Sequence, residues 1–183
     1  MEFILNLDKN LLYFFSTTLS NPFFDKLMPL ITNLNNHGEL WIGMSIVLML
    51  NKNTKVRKLG MSMLIAVAFG YLVGEATLKN IIGRQRPTGE EFAYDFLVKV
   101  PTSFSFPSGH TTSSFAAFGV CWFSKAKYRY WVLVLAILMA FSRMYLHVHY
   151  PSDVLGGILL GIISGKVGVY LGNAFLVRVR REI

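Results

Sequence analysis

Five apolar stretches constrain this chain more than any other feature. A helix that crosses a bilayer needs about 20 residues, roughly 17–25, with every backbone N–H and C=O paired inside the segment. Leu59 to Ile82, Tyr130 to Tyr150 and Asp153 to Val177 meet that length; His110 to Ser124 is shorter and opens on hydroxyl residues, and Leu40 to Leu50 is shorter still. Polar flanks that face protein or snorkel let the two short stretches reach both interfaces, so all five are read as spans. Composition agrees: 53% of the 183 residues are hydrophobic and 15% are charged, against about 25% charged in an average soluble domain. No Pro-, Ser- or Gly-rich linker divides the chain, which is the size of one domain. The expectation is a single all-α unit over residues 1–183, an integral membrane helical bundle of five to six spans.

Residues 1–36 are read as interfacial helices and 37–183 as the transmembrane bundle. Ile4, Leu7, Leu11, Phe14 and Phe15 recur at helical spacing opposite Glu2, Asn6, Lys9 and Asn10, the pattern of an amphipathic helix lying in the membrane interface. Asn21-Pro22 predicts an N-cap with proline at the first helical position, opening a helix through Phe23, Phe24, Leu27 and Leu30 that Pro29 bends. Joining the two pieces into a sixth span would bury Asp25 and Lys26 in its middle. Met1-Glu2-Phe3 and Asp8-Lys9 do not form the basic start and uninterrupted core of a signal peptide, so the start is expected to be that of a mature protein. Cys121 is the sole cysteine, lies in an apolar run, and reads as a small buried hydrophobe.

The formal charge is +8, from 18 Lys and Arg against 10 Asp and Glu, which by itself would suit a nucleic acid or an anionic surface. Position decides otherwise. Lys52, Lys55, Arg57 and Lys58 lie between the first and second spans, Lys125, Lys127 and Arg129 between the third and fourth, and Arg178, Arg180 and Arg181 after the fifth. Excess Lys and Arg in short loops marks the cytoplasmic side, and these three connections share one face. The Gly83 to Pro107 loop, where Arg84, Arg86 and Lys99 meet Glu90, Glu91 and Asp95, and the turn from His149 to Asp153 fall on the other face. That face is expected to be extracytoplasmic, in a cytoplasmic (inner) membrane, with no nucleic-acid partner.

Ionisable groups inside spans cost about 2.5–3.5 kcal/mol each on insertion scales and tend to mark function. Here they gather at the outer ends of the spans: Lys79 and Arg86 around the end of the second, Pro107-Ser108-Gly109-His110 opening the third, Arg143 late in the fourth, and His149 and Asp153 at the turn into the fifth. Lys79 and Arg86 are seven residues apart, about two turns, and share a face if the helix continues. Three cations beside the helix N-terminus opened by Ser108-Gly109 make a site for a multiply charged oxyanion such as phosphate. Two histidines can supply a nucleophile and a general acid, and an aspartate four residues beyond one of them can set its tautomer. No acidic cluster suits Mg²⁺ or Zn²⁺, so no metal and no other cofactor is expected.

Lys79-x6-Arg86-Pro87, Pro107-Ser108-Gly109-His110 and Ser142-Arg143-x5-His149-x3-Asp153 together resemble the three-part signature of the type 2 phosphatidic acid phosphatase superfamily, in order and spacing, and the spans suit its membrane-embedded branch. The resemblance implies that His149 attacks phosphorus to form a phosphohistidine, oriented by Asp153. It implies that His110 protonates the leaving group and then activates water, while Lys79, Arg86, Ser108, Gly109 and Arg143 hold the phosphoryl oxygens. The expected activity is metal-independent removal of a terminal phosphate from a lipid phosphate or diphosphate, with undecaprenyl diphosphate the first choice. Phosphatidylglycerophosphate, phosphatidate, lipid A or a phosphotransferase reaction remain open, as does monomer or homodimer. An anion channel would spread polar groups through the membrane instead of collecting them at one face, and the haloperoxidases of the superfamily are soluble.

Other residues have plainer readings. Glu75 is one turn before Lys79 and reads as its ion-pair partner; Arg84 is either a further phosphate contact or a surface charge. His147 and His149 point in different directions if helical, so His147 is read as a supporting or mouth-lining residue and not half of a metal pair. His37 is read as interfacial, and Lys166 as paired within the bundle or reaching toward the cytoplasmic interface. Gly157, Gly161 and Gly165, spaced by four, predict close helix contact inside the monomer.

Overall fold

A computed structural model describes residues 2–88 and 96–179, the last five of them by backbone alone; Glu90, Glu91, Asp95, Arg180 and Arg181, used above for charge, lie outside the described residues. Every regular element among them is helical: α1 (Glu2–Phe14), running into a π-helical turn (Phe15–Leu19); α2 (Pro22–Asn33); α3 (Glu39–Met49); α4 (Thr54–Ile82), with a π-helical turn at Gly74–Leu78; α5 (Gly109–Phe123); α6 (Arg129–Tyr145); and α7 (Pro151–Val179). Two stretches, Thr54–Ile82 and Pro151–Ala174, are long and apolar enough by themselves to cross a bilayer.

Asn21 caps α2 as its sequence requires: the side-chain oxygen accepts from the N–H groups of Phe23 and Phe24, with Pro22 at the first helical position. Pro29 sits within α2, which runs on to Asn33. α4 does not continue to Arg86. Gly83 takes φ 61° and its N–H closes back on Lys79 O, a left-handed stop that glycine adopts without a Cβ penalty. Arg86 therefore approaches Lys79 from an extended segment, and the shared helix face expected from the seven-residue spacing is not what unites them.

The bundle is built around α7, which packs on α5 and α4. Glycines set that contact. A Cβ at Gly157 would stand 2.8 Å from Ser108 O, at Gly161 2.6 Å from Thr112 O, and at Gly165 2.7 Å from Gly119 Cα, so α5 and α7 approach more closely than any side chain there would allow. Gly168 and Gly172 do the same against Ser62 of α4. Trp41, fully buried, ties α3 to α5 through Nε1–H to Ser114 Oγ at 2.9 Å, within a core of Met63, Ala66, Val67, Ala116, Val120 and Cys121.

The distribution of polarity is inverted relative to a water-soluble domain. Ser45, Ser62, Ser105, Ser108, Thr111, Ser114, Ser142 and Ser164 are buried, as are Asp8, Lys79, Arg143, His149 and Asp153, whereas Leu50, Tyr71, Leu72, Ile81, Trp131, Leu155 and Leu159 are more than half exposed. Apolar surface on that scale is suited to lipid. α1 shows how one short helix serves two media: Ile4, Leu7, Leu11 and Phe14 point outward, and Asp8 and Leu12 point into the protein.

The glycine contact is testable. Gly161→Ala forces α5 and α7 apart, an overpacking cost of about 1–3 kcal/mol, and should lower Tm in detergent. Gly43→Ala, where a Cβ meets nothing within 4 Å, should hold or raise it; equal Tm values for the two variants would contradict the packing described.

Candidate active site

Three chain breaks converge at one end of the bundle: the extended segment after α4, the approach to α5, and the α6–α7 turn. Asp153 joins them. It is fully buried, and Oδ1 accepts from Arg84 Nη1 at 2.6 Å while Oδ2 accepts from Ser105 Oγ at 2.5 Å and Tyr150 N–H at 2.9 Å. Its backbone oxygen accepts from Ser108 N–H at 3.1 Å. His149 lies beside it, with Nδ1 3.6 Å from Asp153 Oδ2 and 3.3 Å from Ser105 Oγ. Ser105 thus stands between the two: its hydroxyl proton is committed to Asp153, which leaves its lone pairs for His149 Nδ1–H.

Arg86 approaches the imidazole from the other side. Nη1 is 3.0 Å from His149 Nε2 and donates to Val148 O at 2.6 Å; Nε donates to Ser103 O at 2.8 Å; Nη2 donates to Ser103 Oγ at 3.2 Å and Phe104 O at 3.1 Å. All five guanidinium protons are placed. Because arginine has no acceptor, Nε2 must meet it as a lone pair, which assigns the ring proton to Nδ1. Burial first, and then the cations Arg86, Arg143 and Lys79, push the His149 pKa well below the usual imidazole range, so the ring is neutral with Nε2 bare.

The remaining expected residues face the same space. Lys79 is buried and held by Glu75 Oε1 at 2.8 Å and Ser103 Oγ at 3.2 Å, the pairing expected from sequence. Arg143 donates from Nη1 to Thr32 Oγ1, and among the described residues neither its Nε nor His110 Nε2 has a partner. Ser108 occupies the N-cap position of α5 without a side-chain cap; its hydroxyl accepts from Thr111 Oγ1 at 2.9 Å. A Cβ at Gly109 would strike the Glu75 carboxylate. Lys79, Arg86, Gly109, His110, Arg143 and His149 line one cavity of about 710 Å³, which continues past Asn35 and His37 to Ile42, Leu64, Val67, Ala68 and Leu72. Ser108 and Asp153 are behind that lining. No group of three His, Cys, Asp or Glu side chains able to hold a metal occurs among the described residues.

Arg84 is neither of the things its sequence suggests. Besides Asp153 it bonds Ser152 Oγ and Asp8 Oδ2, each at 2.6 Å, and stacks 4.2 Å from the Tyr150 ring centroid. Asp8 in turn accepts from Ser152 N–H at 2.8 Å and Ser152 Oγ at 2.5 Å. The N-terminal helix is thereby pinned to the start of α7. His147 is buried and supportive, as read: Nδ1 is 2.8 Å from Tyr145 O and Nε2 3.2 Å from Leu12 O. His37 is exposed at the cavity mouth beside Glu39, and Lys166 is exposed, with no ion pair inside the bundle among the described residues. Sequence reading passed over Asp8, Thr32, Asn35, Ser103, Ser105 and Ser152. A carboxylate inside the apolar stretch of α1 was the one available signal; hydroxyl and amide side chains carry none until the chain is folded.

Comparison with known proteins follows the same outline. A lipid A 4'-phosphatase of Bacteroides thetaiotaomicron is 28% identical across 100% of this chain and 84% of its own. An undecaprenyl-diphosphatase of Sulfolobus acidocaldarius is 31% identical over 72% of this chain, which spans 64% of that protein, less than two thirds of its length. The crystal structure of a transmembrane PAP2-type phosphatidylglycerolphosphate phosphatase from Bacillus subtilis superposes with a TM-score of 0.73 at 26% identity, covering 98% of this chain and 89% of that one. The PAP2 superfamily model matches residues 57–175, from the start of α4 into α7 and through every motif above. With its helical bundle and lipid-phosphate phosphatase relatives, this chain belongs to the PAP2 superfamily of membrane phosphatases.

Proposed function

We propose that the protein hydrolyses a terminal phosphate from a membrane lipid without a metal, through a phosphohistidine on His149. The observation that carries this is the position of His149 Nε2, which meets a donor from Arg86 on the edge of the ring opposite Ser105 and Asp153, in a cavity shared with Lys79 and Arg143. The phosphoryl group enters the cation end of the cavity, and its oxygens take the free N–H groups of Arg143 and the uncapped N-terminus of α5. As Nε2 attacks phosphorus, the imidazole becomes cationic, and Ser105 and Asp153 stabilise the charge from behind. Arg86 stays charged and turns the N–H it had directed at the Nε2 lone pair toward a phosphoryl oxygen. His110 Nε2 protonates the leaving oxygen and afterwards takes a proton from water.

The substrate is a lipid phosphate or diphosphate whose head group occupies the polar end while its chain leaves along Ile42, Leu64, Val67, Ala68 and Leu72. Undecaprenyl diphosphate is the first choice, since the pocket provides many phosphate donors and an apolar exit. A lipid A phosphate is the second reading, favoured by the alignment that runs through the N-terminal helices as well as the core. The bundle is read as five spans in the cytoplasmic membrane, α3 to α7, with α1 and α2 at the interface and the site toward the extracytoplasmic side, on the strength of the cations at Lys52 to Lys58 and Lys125 to Arg129.

Two outcomes follow. His149→Ala should fold with wild-type Tm yet retain less than about a thousandth of kcat, and wild-type activity should survive EDTA; turnover by the variant, or loss on chelation, contradicts the mechanism. In detergent, phosphate release from undecaprenyl diphosphate, lipid A, phosphatidylglycerophosphate and phosphatidate should show the highest kcat/KM for the first. A maximum on lipid A selects the second reading, and equal slow turnover on all four removes both.

A further inference from the structure

Among the described residues, three buried side-chain atoms lack a hydrogen-bond partner: Arg143 Nε, His110 Nε2 and Asn35 Oδ1. All three residues line the same cavity. A phosphoryl group and its leaving oxygen provide partners for the first two, because Arg143 donates and His110 can do so. They provide nothing for the third. Phosphoryl oxygens accept hydrogen bonds, and so does an amide oxygen, so Asn35 requires a donor that the phosphoryl group does not carry.

The direction of the Asn35 amide is set by its neighbours. Ser113 Oγ donates to His110 O at 3.1 Å, which leaves it to accept from Asn35 Nδ2 at 2.8 Å. Nδ2 is also 3.5 Å from His110 O; exchanging the amide atoms would set two carbonyl oxygens against each other. The nitrogen is therefore the atom anchored to the first turn of α5, where His110 resides, and the oxygen is left without a partner on a residue that is only 1% exposed and borders the cavity.

Water is the reactant that brings two hydrogens to this position. We propose that Asn35 Oδ1 accepts one hydrogen of the water that hydrolyses the phosphoenzyme while His110 Nε2 takes the other. The inference rests on the phosphohistidine reading above. The water oxygen bonds to phosphorus as the P–Nε2 bond to His149 breaks and its electron pair returns to the ring. One proton passes to His110, and the second stays on the new P–OH, directed at Asn35. Orientation by two fixed acceptors aims a water lone pair at phosphorus, which one acceptor alone leaves free to swing. Asn35 lies outside residues 57–175, the part of the chain matched by the family model, so this contact is supplied by the N-terminal segment.

Methanol distinguishes this role from a structural one, since it has a methyl group where water has the second hydrogen and gains nothing from Asn35. With the best-turned-over lipid of the panel above, rapid quench should show that Asn35→Ala forms the phosphoenzyme at close to the wild-type rate, hydrolyses it roughly tenfold more slowly and accumulates it. In methanol–water mixtures the ratio of methyl phosphate to phosphate should rise by a similar factor. Asn35→Ser, which keeps a hydroxyl near Ser113, should show the same ratio if the alanine variant packs poorly. An unchanged ratio with a trapped phosphohistidine, or a parallel fall in both steps, overturns the role of Asn35 alone. A wild-type enzyme that yields no phosphohistidine overturns the parent reading.

Discussion

One buried carboxylate holds this site together. Asp153 begins α7, yet its oxygens are bound by Arg84 from the segment after α4, Ser105 from the approach to α5 and the Tyr150 N–H of the α6–α7 turn. A carboxylate wholly removed from water is costly unless each oxygen is satisfied, and removing one partner of such an ion pair costs about 3–5 kcal/mol. The three segments must therefore arrive together. Arg84 extends the demand to Asp8, so that the first helix of the chain is fastened to the same point. Once Asp153 is satisfied, Ser105 and His149 have little freedom, and the face of the imidazole presented to the cavity is decided.

The surrounding fold follows from solvent. Helices that show Leu, Ile and Tyr outward and Ser, Thr and Gly inward gain little from hydrophobic contact with each other in lipid and depend on close backbone approach and interhelical hydrogen bonds. The glycines of α7 and the Trp41–Ser114 contact provide both. Such an interior holds Lys79, Arg86 and Arg143 near one another. Each is held back by fixed partners: Glu75 and Ser103 for Lys79, backbone carbonyls for Arg86, Thr32 for Arg143.

Much of this could be read from sequence because spacing carries it. The apolar stretches of α4, α6 and α7 and the cap at Asn21 are local properties, and the three motifs mark Lys79, Arg86, Ser108, Gly109, His110, Arg143, His149 and Asp153, which the fold brings to one end of the bundle. What escaped was non-local and chemically ordinary. Ser105 gives no sign that it will stand between His149 and Asp153, and Thr32 and Asn35 look like any turn residues until α2 meets α5 and α6. Arg84 escaped for a related reason: a cation two residues from Arg86 suggests either a phosphate contact or a surface charge, while its partners Asp8 and Asp153 are 76 and 69 residues away. The helix face proposed for Lys79 and Arg86 failed because Gly83 ends the helix between them.

The proposed chemistry depends on a neutral His149 with its proton on Nδ1. Three nearby cations and complete burial disfavour the imidazolium, and Arg86 permits only the tautomer that leaves Nε2 open. In the mechanism proposed above, phosphate reverses the balance: two or more negative charges beside the ring favour the cation that nucleophilic attack would create. Nitrogen NMR of histidine-labelled protein in detergent, with His149 assigned from the His149→Ala difference spectrum, tests this directly. At about pH 7 the substrate-free protein should show His149 as a neutral ring protonated on Nδ1; a ring protonated on Nε2, or an imidazolium, would contradict it.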